Sequence, residues 1–142
     1  MPEKYLFVHA RGGDFFQLAN TQGVLSYLYY QEALLKFSGA NDLSVIVITD
    51  DLKNVDRISE RINPDLILGS KDLNEWQALK LMSNAKGLVM ANSTFSWWGG
   101  RIALENGCKV TLPSPWVKID QLNIGDAFQH PSFLLTKSHF ED

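Results

Sequence analysis

The chain has 142 residues, 45% of them apolar, and its 13 basic and 16 acidic side chains leave a net charge of -3. That length and apolar content suit one domain with a proper core, residues 1–142, and the absence of any basic run argues against nucleic acid as a partner. The single cysteine, Cys108, excludes an internal disulfide or a CxxC metal site, no apolar stretch is long enough to span a bilayer, and MPEKYLFVHA lacks the layout of a signal peptide, so the expected setting is soluble and cytoplasmic.

In chain order, Tyr5-Leu6-Phe7-Val8 is a continuous apolar run, the pattern of a strand buried on both faces. It leads into His9-Ala10-Arg11-Gly12-Gly13-Asp14, followed by a helical period through Leu25, Leu28, Tyr29, Ala33 and Phe37. Val45 to Ile48 reads as the next strand and ends at Thr49-Asp50-Asp51. Paired carboxylates there could hold magnesium, but an Asp between strand and helix is more often an N-cap, and a helix is expected from Leu52 through Val55, Ile58 and Ile62 to the break at Asn63-Pro64. Leu66 to Leu68 is a short strand, and Asp72 with Glu75 forms the pattern of a capping box ahead of Leu73, Trp76, Leu79 and Met82. Gly87 to Ala91 is a fourth strand, and a helix from Phe95 to Glu105 carries Phe95, Trp98, Ile102 and Ala103 at helical spacing before Asn106-Gly107 ends it. Lys109 to Leu112 is a fifth strand. From about residue 113 the chain reads as irregular, with His130 and His139 as surface residues outside metal-ligand spacing.

Alternation of strand and helix predicts a Rossmann-like parallel sheet with helices on both faces, whose ligands bind outside the carboxyl ends of the strands. Three polar segments fall there: His9 to Asp14, Thr49 to Asp51, and Asn92 to Ser96. In the last, Ser93, Thr94 and Ser96 precede or open a helix, where unpaired amides and the positive end of the macrodipole can hold a phosphate. The same residue types are the ordinary N-caps of any helix, so taken alone the segment reads as capping ahead of an anion site. Trp97 and Trp98 suit a core, with Gly99 and Gly100 allowing close approach of helix to strand. Arg11 presents a planar, permanently charged fork suited to phosphate. Asp14 is expected to pair with Arg11 or cap the turn ahead of acting as a base, and His9 fits a structural or a functional role.

Asn92 to Gly99 reads NSTFSWWG, His9, Arg11, Gly13 and Asp14 fit H-x-R-R-G-D, and Tyr29-Tyr30-Gln31-Glu32-Ala33, Thr49-Asp50-Asp51, Leu81-Met82-Ser83 and Pro113-Ser114-Pro115-Trp116 fit Y-Y-x-x-A, S-D-D, L-M-S and P-x-x-W. Together these resemble the bacterial α-1,2-fucosyltransferases of glycosyltransferase family 11, specifically their nucleotide-binding carboxyl-terminal half, over about residues 4 to 118. The resemblance implies half of a GT-B-type fold and inverting transfer of fucose from GDP-fucose to a glycan hydroxyl, such as a galactoside, with no cofactor or metal. It implies that Arg11 neutralises the departing diphosphate, that Asn92, Ser93, Thr94, Phe95 and Ser96 hold the nucleotide, and that His9 lies against the guanine or ribose. Asp14 is the base candidate in the matched motifs. The family's second arginine is Gly12 here, and the chain begins almost at the H-x-R motif, so the acceptor-binding half is expected outside it. A non-catalytic sugar-nucleotide or phosphate-binding module is therefore the second reading, with a further copy or a partner chain covering the open cleft.

Overall fold

The computed structural model describes residues 2–37, 39, 42–120 and 124–141, and of residues 14–16 it describes the backbone alone. Its framework is a six-stranded sheet in the order β3-β2-β1-β4-β5-β6, parallel throughout. The strands are β1 Tyr5–Ala10, β2 Ser44–Thr49, β3 Leu66–Leu68, β4 Gly87–Val89, β5 Lys109–Ser114 and β6 Leu134–Lys137. The helices between them are α1 Tyr27–Leu34, α2 Asp56–Ile62, α3 Glu75–Ser83 and α4 Thr94–Glu105. A 3-10 helix, Gly13–Leu18, follows β1, and another, Ile124–Phe128, precedes β6.

Alternate residues along β1 serve opposite faces, which is why the run is apolar without a break. Leu6 and Val8 pack with Tyr29, Tyr30 and Ala33 of α1 and Ile58 of α2, whereas Tyr5 and Phe7 pack with Ala78 and Met82 of α3 and Ala103 of α4. Consecutive loops after β1 and β4 thus leave toward opposite faces, and a crevice opens between their carboxyl ends. Buried Tyr29 bridges the layers by donating its hydroxyl to the Met90 carbonyl at the end of β4. Among the described residues no helix is long and apolar enough to cross a membrane.

Several boundaries depart from expectation. The residues after Asp51 form turns, and α2 begins only at Asp56, so Asp51 is not its cap. The box that starts α3 is Asn74 with Gln77, reciprocally bonded at 2.9 and 2.8 Å, because the Asp72 carboxylate is taken by the Gly69 amide. Trp76 is then 80% exposed rather than core. The segment beyond residue 113 carries regular structure among the described residues: β5 runs to Ser114, and β6 adds a parallel edge strand whose Thr136 hydroxyl meets that of Thr111. Within α4 the buried side is Ser96, Gly99, Gly100 and Ala103, while Trp98 and Ile102 face outward. A Cβ on Gly99 would lie 2.5 Å from the Met82 sulfur and one on Gly100 2.6 Å from that of Met90, so these small residues let α4 settle against α3 and the sheet. Cys108 is buried, and burial raises its thiol to about 11, which keeps it protonated and unreactive at neutral pH.

Candidate functional site

The loop after β1 is held by the end of β2. The Arg11 guanidinium donates to Asp50 Oδ2, the Gly12 amide to Asp50 Oδ1 at 2.9 Å, and the Gly13 amide to Asp51 Oδ2 at 2.9 Å. Two adjacent carboxylates therefore fix three successive residues of the loop. Gly13 has φ +56, and a Cβ there would lie 2.8 Å from Asp50 Oδ2, so only glycine fits without displacement. The amides of Asn54 and Gly13 hold the Asp51 carboxyl below the usual carboxylate range. Among the described residues Asp50 pairs with Arg11; the side chain of Asp14, the partner expected from the sequence, lies outside them.

The second jaw is the start of α4. Ser93 is its N-cap, accepting from the Ser96 amide at 3.1 Å, and the Trp97 amide makes the first bond back to the Ser93 carbonyl. Helix geometry leaves the Thr94 and Phe95 amides ahead of that ladder, at the positive end of a 12-residue helix. Ser96 works beneath the site: it is fully buried, and its hydroxyl accepts from the Ala91 amide at 2.9 Å. Asn92 turns its amide onto the carbonyls of Gln22 and Gly23, tying the segment before α1 to the end of β4. Ser93, Thr94 and Phe95 face the cleft, whereas the Ser96 hydroxyl is spent on the strand-to-helix turn.

Between the jaws runs a cleft of about 490 Å³ whose lining includes His9, Arg11, Asp50, Ser93, Thr94 and Phe95. Ile48 of β2, Leu73, and Glu75 and Ala78 of α3 line it too. So do Trp116, Ile124 and Phe128. There the Trp116 and Phe128 rings stack at 4.5 Å, and Trp97 donates its indole N–H to the Phe128 carbonyl at 2.9 Å. Trp116 was read only as part of the P-x-x-W match, and nothing in the sequence marked Phe128 as its partner. Arg57, reaching the Arg11 carbonyl from α2, was also unread.

His9 lies at the cleft floor, edge-on to Phe95 with ring centroids 5.6 Å apart. Its Nδ1 is buried with no hydrogen-bond partner among the described residues. Burial drives the imidazole down to about 3, with the Arg11 charge acting in the same direction. The folded protein therefore keeps His9 neutral above about pH 3, whereas the unfolded chain protonates it below 6.5. Because the unfolded state binds the extra proton, His9 costs stability progressively as pH falls from 6.5 toward 3. An NMR titration should show flat His9 ring resonances from pH 8 to 5; a midpoint near the ordinary value would place the ring in solvent.

A family model described as glycosyl transferase family 11 matches residues 1–126. An alpha-1,2-colitosyltransferase of Escherichia coli is 29% identical over 129 residues, covering 84% of this chain and 43% of that protein. The O-antigen biosynthesis glycosyltransferase WbnK of Escherichia coli is 29% identical over 115 residues, 77% of this chain and 38% of its own length. The matched part of this chain thus covers less than half the length of either relative.

Proposed function

Because the chain belongs to glycosyl transferase family 11, we propose that its cleft is the donor site for a GDP-sugar, GDP-fucose in the first place, in an inverting transfer to a glycan hydroxyl such as that of a galactoside. The observation that carries this reading is the convergence of Arg11, the α4 amino terminus and buried, neutral His9 on one cleft at the switch point of the sheet. The diphosphate lies between Arg11 and the Thr94 and Phe95 amides, with the Ser93 and Thr94 hydroxyls as further donors. As the glycosidic bond to phosphate breaks, negative charge grows on the leaving diphosphate, and fixed donors aimed at it favour the transition state over the ground state. This assigns charge compensation to the protein rather than to a metal. His9, unable to bring a second positive charge, offers a ring nitrogen to the nucleoside. The apolar lining at Ile48, Leu73 and Ala78 suits a flat base, and Glu75 is an acceptor suited to the paired N–H donors of guanine.

The acceptor and its base belong to a surface that closes over this cleft, supplied by more chain, a second copy or a partner; the reaction is placed in the cytoplasm. Gly12 and the pairing of Arg11 with Asp50 favour the second reading, a binding module without transfer. Equilibrium dialysis with labelled GDP-fucose, with and without a galactoside acceptor, separates the two. Saturable binding displaced by GDP is expected. Fucosylated product overturns the binding-only module, binding without product overturns transfer by this chain alone, and no displaceable binding overturns both. One matched relative is named for colitosyl transfer, so GDP-colitose is the competing donor in the same experiment.

A further inference from the structure

Arg57 stands on α2, outside the cleft lining, yet its guanidinium gathers three segments distant in sequence. Its Nη1 donates to the Leu25 carbonyl at 2.8 Å and to Glu141 Oε1 at 3.1 Å, and its Nη2 to the Arg11 carbonyl at 3.4 Å. Glu141 lies on a carboxyl-terminal strap sewn to the segment before α1. The Glu141 amide donates to the Val24 carbonyl and the Ser26 amide to the His139 carbonyl, each at 2.7 Å, with Leu25 and Phe140 forming an antiparallel bridge between them. Phe140 packs over Gly23, where a Cβ would come within 2.4 Å of its ring. That same segment gives its Gln22 and Gly23 carbonyls to Asn92, next to the cap of α4.

Arg11 is thus restrained from both ends, its guanidinium by Asp50 and its main chain by Arg57. We infer that Arg57, braced by Glu141 of the strap, is a positioning residue that sets the backbone of Arg11 and thereby the fit of the outer phosphate. The role rests on the reading of Arg11 as the phosphate ligand. It requires the planar fork of an arginine, since a lysine carries the charge but cannot span three acceptors in fixed directions.

The test is calorimetry with GDP and GMP on the whole chain carrying Arg57→Lys or Glu141→Ala, with melting temperatures recorded alongside. Glu141→Ala leaves the backbone pairing of the strap in place, so it carries the test should Arg57→Lys fail to fold. The ratio of GDP to GMP affinity should fall about three- to ten-fold in either variant while GMP binding holds. Adding either change to Arg11→Ala should lower the ratio no further. A wild-type ratio in a folded variant, or an equal further loss in the Arg11→Ala background, overturns the positioning role. A wild type without preference for GDP overturns the phosphate clamp itself and this role with it.

Discussion

Arg11→Ala is expected to weaken GDP binding roughly ten- to hundred-fold, the worth of about 1.5 to 3 kcal/mol for hydrogen bonds to a charged group, while changing GMP binding far less. The asymmetry follows from the proposed clamp, in which Arg11 meets the outer phosphate across the cleft from the α4 amides. Removing the guanidinium also leaves Asp50 facing the phosphate without its cation, so the loss includes repulsion as well as a missing contact. Asp50→Asn supplies the control. It removes the competing carboxylate charge, keeps an acceptor for the Gly12 amide, and should leave the preference for GDP in place. If Arg11→Ala binds GDP as tightly as wild type, the diphosphate lies elsewhere.

Gly100→Val is expected to be the most damaging change to the fold near the site. A Cβ at this position would approach the Met90 sulfur to 2.6 Å and a Val110 methyl to 3.3 Å, both in the core under α4. Branching at the same carbon compounds the overlap, and overpacking of this kind costs about 1 to 3 kcal/mol. In a chain of this size that corresponds to a melting temperature lower by roughly 3 to 10 °C. Gly107→Ala is the contrast: it meets nothing within 4 Å, and its cost comes from φ +80 alone, about 1 kcal/mol. Thermal unfolding followed by circular dichroism reads both. An unchanged melting point for Gly100→Val would mean that α4 does not approach the sheet as closely as the Met90 contact requires.

Strands β1, β2 and β4 were legible because they are largely buried on both faces, which writes an unbroken apolar run into the sequence. β6 was not, since Leu134-Leu135-Thr136-Lys137 sits at the edge with Leu135 exposed and shows neither pattern. Helical period misled wherever the packing side is made of small residues: Trp98 and Ile102 mark the outer face of α4, and Gly99 and Gly100 the inner one. The two overlapping capping boxes at Asp72 and Asn74 are equally good as sequence, and only the Gly69 amide decides between them. At the site, Arg11 and the NSTFS turn follow strands and His9 lies at the end of one, so all can be found from that alone. Their supports cannot, because Asp50 lies 39 residues from Arg11 and Arg57 lies 46 residues from it. Local periodicity carries no information at that range.

The central claim is that Arg11 and the amino terminus of α4 form the two sides of a diphosphate clamp. Calorimetric titration of the wild-type chain with GDP and with GMP measures it directly. The clamp predicts that GDP binds more tightly, by a margin that Arg11→Ala abolishes. Equal affinity for the two nucleotides would contradict it.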